Sequence, residues 1–171
     1  AFQKGLAVNP NHAYAWSGLG ETLSMAGKDE EAEKCFLKAI SIMPENPWLH
    51  YVLGIHGLKT GKASSAVEAL SRAVSLRPPL PTAYHLLGSA YMRQGNGKEA
   101  ERAFGKALSM LPRDSKIHSV VHVEMGKLYL RAGKVKEAKE EWLIALRFDP
   151  NDDEAKALLQ REAQGSQARN P

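Results

Sequence analysis

The chain has 171 residues and a single cysteine, Cys35. That excludes an internal disulfide framework and points to a reducing compartment, so a cytoplasmic protein is expected. No apolar run reaches the roughly 18 residues of a membrane-spanning helix, and no direct membrane insertion is expected. Charge of either sign is not in large excess. The formal net charge is +4, too small by itself to be the electrostatic footprint of a nucleic-acid binder.

Glycine and proline are present in order. Gly20, Gly54 and Gly88 follow one another at steps of 34, as do Gly27, Gly61 and Gly95. Ala32, Ala66 and Ala100 keep the step, and so do Ala39, Ala73 and Ala107, and Pro44, Pro78 and Pro112. A fourth set, Gly126, Gly133, Ala138, Ala145 and Pro150, has the same internal spacing, but 38 residues separate Gly88 from Gly126. Four residues are therefore inserted near 115–118, about one helical turn. They are expected to lengthen the first helix of the fourth copy, with Asp114 or Ser115 as its cap. A period of this size marks stacked repeats whose units contact neighbours only, so no central globular core is needed.

Each column has a physical reason. Gly27, Gly61, Gly95 and Gly133 sit where a first helix must end in the left-handed conformation that glycine adopts most easily. Gly20, Gly54, Gly88, Gly126 and the alanines let paired helices approach, and Phe36, Leu70, Phe104 and Trp142 are among the residues that fill the seams. The prolines stop each second helix.

No motif carries chemistry. "GLG" at 18–20 lacks a third glycine and a preceding strand. Cys35 beside Phe36 reads as a small core filler. His118 and His122 are spaced i, i+4 like a metal pair, but no third ligand is evident. Three consecutive acids, Asp29 to Glu31, suit a helix start. No catalytic residue, metal or cofactor is expected.

The register Trp16-x-x-Leu19-Gly20, then Ala32-x-x-x-Phe36, Ala39 and Pro44, resembles the tetratricopeptide repeat family. The third copy matches at Tyr84, Leu87, Gly88, Tyr91, Ala100, Phe104, Ala107 and Pro112. The fourth matches at Met125, Gly126, Tyr129, Ala138, Trp142, Ala145 and Pro150, while the second is the loosest, with His50 in the tryptophan position and Gly57 in that of the tyrosine. The resemblance implies an all-α, right-handed superhelical solenoid of antiparallel helix pairs. The expected division is a partial second helix at 1–12 and repeats at 13–46, 47–80, 81–114 and 119–152, with the insertion at 115–118. A capping helix at 153–163 and a flexible tail at 164–171 follow. Because Phe2, Gly5 and Pro10 fall one repeat before Phe36, Ala39 and Pro44, the chain is expected to be part of a longer array.

The resemblance also implies a use. First helices of the family line a concave groove where peptides lie. Its positions here include Tyr14, Trp48, Tyr51, Ile55, Lys59, His85, Met92, Arg93, Lys127 and Arg131. That wall is aromatic and aliphatic near the second copy, with basic residues along one side. The expected partner is a protein or peptide segment with an apolar anchor and acidic flanks, and the alternative is a self-associating scaffold. Chaperone-binding members clamp a terminal carboxylate with Lys and Asn, but Ser17, Glu21, Val52, Thr82 and Leu86 stand at those positions. Nucleic-acid reading is not expected of so apolar a wall.

Overall fold

The computed structural model describes residues 6, 7, 9–76, 81–112 and 115–168. Among them, helices are the only regular elements: α1 (Ala13–Met25), α2 (Asp29–Ile42), α3 (Pro47–Lys59), α4 (Ala63–Ser75), α5 (Pro81–Gln94), α6 (Gly97–Met110), α7 (Ile117–Arg131), α8 (Val135–Phe148) and α9 (Asp153–Ala168). They form two compact units, one of residues 1–96 and one of residues 97–171. In the first, α1 packs on α2, α2 on α3, α3 on α4 and α4 on α5; in the second, α6 packs on α7, α7 on α8 and α8 on α9. The third sequence repeat is divided between them, since α5 closes the first unit and α6 opens the second. Of the expected partial helix at 1–12, Leu6 and Ala7 are helical and Leu6 is buried, while residues 1–5 and 8 lie outside the described residues.

Each first helix ends the same way. Gly27, Gly61, Gly95 and Gly133 have φ of 75°, 75°, 82° and 75°. The amide after each glycine donates back to the carbonyl five residues earlier: Lys28 to Leu23, Lys62 to Gly57, Asn96 to Tyr91 and Lys134 to Tyr129, at 2.8–2.9 Å. This is the Schellman closure, and it reverses the chain within three residues.

The seams are as close as the small columns require. Ala32, Ala39, Ala66, Ala73, Ala100, Ala107, Ala138 and Ala145 are all 0% exposed. A Cβ on Gly20 would stand 2.8 Å from the ring of Phe36, one on Gly54 would be driven into Leu70, and one on Gly126 into the indole of Trp142. Trp142 is fully buried, and its Nε1–H donates to the Val123 carbonyl at 3.3 Å.

Two boundaries differ from expectation. The insertion adds only part of its length to α7, which begins nine residues before Gly126, whereas α1, α3 and α5 begin seven before their glycines. Asp114 lies outside the described residues, and Ser115 Oγ accepts from the Ile117 amide at 3.3 Å. The remainder of the insertion resets a ring contact. Trp16 donates to the Pro10 carbonyl at 2.7 Å, and His50 bonds the Pro44 carbonyl at 2.8 Å. In the fourth copy His118, again six residues after a proline, bonds the Pro112 carbonyl at 3.1 Å. A histidine ring N–H thus serves where the Trp16 indole does, from the same column at His50 and from four residues ahead of it at His118. The second difference is at the end: α9 continues to Ala168, through residues expected to be a tail. Glu162, Ala163 and Gln164 are good helix formers, and one glycine at 165 is a small cost against them.

Candidate functional site

The expected groove residues fall into two groups. Tyr14, Trp48, Tyr51, Ile55, Lys59, His85, Met92 and Arg93 belong to the first unit, and Lys127 and Arg131 to the second. In the first unit α1 and α3 pack side by side, and a hollow of about 430 Å³ opens along them, lined by Glu21, Ser24, Met25, Phe36, Trp48, Val52, Ile55, His56 and Lys59.

Its apolar wall is bare. Met25 is 87% exposed, Trp48 46% and Ile55 40%. The spacing 48, 51, 55 puts Trp48, Tyr51 and Ile55 on one helix face. The Trp48 and Tyr51 rings lie 5.1 Å apart, and Tyr51 also packs on the core of Ala32, Phe36 and Val52. Tyr14 is half-exposed on α1, and its hydroxyl accepts from Asn46 Nδ2 at 2.7 Å. Asn46 also caps α3 by accepting from the Trp48 amide at 3.0 Å, so one residue orients both aromatic positions.

The floor is a buried polar network. His56 is 3% exposed, and its ring packs at a tilt against that of Phe36, with centroids 5.3 Å apart. Its Nδ1 meets Ser24 Oγ and its Nε2 the Asp29 carbonyl, both at 3.1 Å. Lys59 Nζ donates to the Ser24 carbonyl and, at 3.0 Å, to Ser24 Oγ, and stands 3.9 Å from the Asp29 carboxylate. A serine–histidine pair is present, but the third group on the imidazole is a backbone carbonyl. The arrangement ties α1, α2 and α3 together and lacks the carboxylate that orients the imidazole in a triad.

Two of the basic residues are engaged at helix ends. Arg93 Nη1 donates to the Leu58 carbonyl as Lys59 does to that of Ser24. Both carbonyls already accept the positive-φ glycine amide three residues on, so each cation takes the second lone pair at the end of the preceding first helix. A cation there also meets the negative end of the helix dipole. The column was legible, because Lys59, Arg93 and Arg131 each fall five residues after the helix glycine. Periodicity in a charged column points to the scaffold rather than to a ligand.

Of the other groove residues, Met92 is buried and His85 half-buried on α5, and Arg131 is exposed at the end of α7. Lys127 is bonded at 3.0 Å to Glu124 and at 2.7 Å to Glu154 of α9. Burial pulls its ammonium pKa down, but the bonds to Glu154 and Glu124 outweigh this and hold it above its ordinary value. The suspected metal pair has other partners: His118 stacks at 4.5 Å on Phe148, and His122 Nδ1 meets Glu141 at 2.6 Å. No cluster of three metal-ligating side chains occurs among the described residues, and no described helix is long and apolar enough to cross a membrane.

Three family models match, one tetratricopeptide repeat model at 13–46, a TPR repeat model at 58–95 and another tetratricopeptide repeat model at 91–162. No curated protein sequence matches significantly. Solved structures match along most of their length. MamA 41-end from Desulfovibrio magneticus RS-1 is 22% identical, with a TM-score of 0.78, over 89% of this chain and 84% of that one. YrrB, described as a TPR protein with an unusual peptide-binding site, is 24% identical, with a TM-score of 0.77, over 91% and 78%. TTC0263, a thermophilic TPR protein of Thermus thermophilus, is 20% identical, with a TM-score of 0.73, over 94% and 86%. Together with the repeated columns and the Schellman-closed helix pairs, the three matched segments make the chain a member of the tetratricopeptide repeat family.

Proposed function

We propose that the chain is a non-catalytic protein-interaction module, and that the hollow between α1 and α3 receives a segment of a partner protein through a bulky apolar anchor. The observation that carries this reading is the bare wall: Trp48 and Ile55 are held outward on a rigid helix beside an almost fully exposed Met25. An aromatic of this size is costly to leave against water without a use, and rigid aromatic anchors dominate protein contacts. The peptide-binding site ascribed to YrrB supports binding on the same fold.

Tyr14, Trp48, Tyr51 and Ile55 are the proposed contacts, and His85 remains in the proposal as a polar position on α5; Arg131, in the second unit, is proposed by itself as a polar contact on α7. Lys59, Arg93 and Lys127 are engaged within the chain and lend little charge to acidic flanks. Met92 is buried and is not a proposed contact.

The test is affinity for peptides selected on the intact chain. Trp48→Ala is expected to weaken binding by about 2 kcal/mol, or some thirtyfold, and Tyr51→Ala by less. Changes at Leu37 and Leu143, which are exposed on second helices, are expected to do nothing. If the Leu37 or Leu143 variants abolish binding while Trp48→Ala binds as the parent does, the hollow is not the site.

A further inference from the structure

One of the helix-end cations, Lys59, lines the hollow, but the charge that the lining leaves unpaired has the opposite sign. Its lining holds three ionisable side chains besides its apolar wall: Glu21, His56 and Lys59. His56 is buried with both ring nitrogens satisfied by Ser24 and Asp29. Lys59 is held by the Ser24 carbonyl and hydroxyl, with the Asp29 carboxylate beside it. Glu21 is exposed, and among the described residues it makes no hydrogen bond or ion pair. The charge left for an incoming group is therefore a carboxylate, at the rim of a wall made by Met25, Trp48 and Ile55.

We infer that the occupant of the hollow is a basic, apolar peptide segment, one that places a lysine or arginine beside its bulky apolar anchor. This rests on the binding reading above and reverses the acidic flanks expected from sequence. The alkyl stem of a lysine or arginine lies well on Met25 and Ile55, since such side chains cover apolar surface while the charged head stays polar. The head meets the Glu21 carboxylate, and the face of the Trp48 indole adds the attraction of its quadrupole for a cation. An acidic segment would bring a second carboxylate to Glu21 with no unengaged cation in the lining to offset it.

The experiment selects phage-displayed random dodecapeptides on the intact chain and counter-selects on Trp48→Ala. Peptides that depend on Trp48 are expected to carry lysine or arginine next to a large apolar residue. In synthetic copies, replacing that residue with glutamate should weaken binding roughly tenfold, and Glu21→Lys should weaken the basic peptide by a similar factor while improving the glutamate version. Glu21→Gln should remove most of the difference between the two and reduce the salt dependence. Glu21 is exposed, so both variants should melt as the parent does. Trp48-dependent peptides that are acidic or neutral, or a basic peptide indifferent to Glu21→Lys, would overturn the inference and leave the anchor reading standing. If no Trp48-dependent peptide emerges, both fall. A dimer of the chain that dissociates in Trp48→Ala would also overturn the inference, because the hollow would then be occupied by a second copy.

Discussion

Lys59 in the first unit and Lys127 in the second are both held by their own chain, but the surfaces around them differ. Beside Lys59 the wall of α3 is open, with Trp48 and Ile55 exposed. Around Lys127, which stands in the register of Ile55, Val120 is 46% exposed as Trp48 is, but Val123, in the register of Tyr51, is 2% exposed, and α9 supplies Glu154 to the ammonium. Among the described residues, the buried side-chain oxygens without a hydrogen-bond partner, Ser17 Oγ and Asp29 Oδ1, are both in the first unit. Ser119 donates to the Ala145 carbonyl at 3.1 Å and to Asp152 at 2.7 Å, and Tyr129 donates to Glu101 at 2.8 Å. The same helix-pair template presents Trp48 and Ile55 to solvent in one place and, in the register of Ile55, an ion-paired lysine in another. The difference lies in what packs beside each helix, because a repeat has no core of its own and borrows burial from its neighbours.

The sharpest break of this comparison is at the largest seam residue. Trp142→Ala leaves a cavity under Gly126 and is expected to cost about 3–5 kcal/mol. Urea unfolding should show the loss, and hydrogen exchange should place it in residues 97–168 while the amides of α1 to α4 keep their protection. Uniform loss across both units would mean that they are not separable in stability.

Removing residues 152–171 comes next. Ala155 is 0% exposed, and Leu158 and Leu159 pack on the cluster of Val123, Ala138, Trp142 and Ala145. Their loss should cost about 3 kcal/mol, with lower solubility because that cluster then meets water. A truncated chain that melts unchanged and stays soluble would refute the capping role of α9.

A smaller effect is expected from Lys59→Met, which keeps the stem and removes the cation from the end of α1. About half of the Lys59 side chain is exposed, so the loss should be about 0.3–1 kcal/mol. Peptide binding at Trp48 should survive. If Lys59→Met abolishes binding without changing stability, the ammonium serves the ligand and not the helix.

The smallest effect is in pH dependence, and it belongs to the second unit. Burial pushes the Asp152 carboxyl upward, but the amides of Ala155 and Glu154, the Ser119 hydroxyl and nearby Lys127 outweigh it and hold the group below its ordinary value. A depressed carboxylate stabilises the fold above its unfolded pKa of about 3.9 and loses that contribution as pH falls through the folded value. Asp152→Asn should therefore show a flatter fall in melting temperature below about pH 4 than the parent. At the other extreme, burial and then the bond to Glu101 raise the Tyr129 hydroxyl to about 12. Its contribution is complete below about pH 10 and lost between there and about 12, and Tyr129→Phe should remove that alkaline slope.

Much of the fold was legible because repeat architecture is local. The positive-φ glycines, the alanine seams and the helix-stopping prolines each answer a constraint set within one or two adjacent helices, so a 34-residue period exposes them. The site was legible only in part. Trp48, Tyr51 and Ile55 followed from spacing on one helix; that Glu21 and Met25 of another repeat line the same hollow follows only from the stacking of α1 beside α3. Met92 had the right spacing too, and is buried. The basic column was visible but two of its partners were not: Lys59 and Arg93 donate to backbone carbonyls 35 residues away, which no side-chain pattern reports.

The sequence by itself determined the helix pairs, where each first helix ends, and which small residue faces which large one, because these depend on backbone sterics and on contacts that recur with the period. Only the tertiary structure decided which charges are already neutralised and which aromatic faces stay bare. A salt bridge or a cap needs two groups within about 4 Å of each other. Lys59 beside Ser24, and Glu154 beside Lys127, reach that distance only after the helices have stacked.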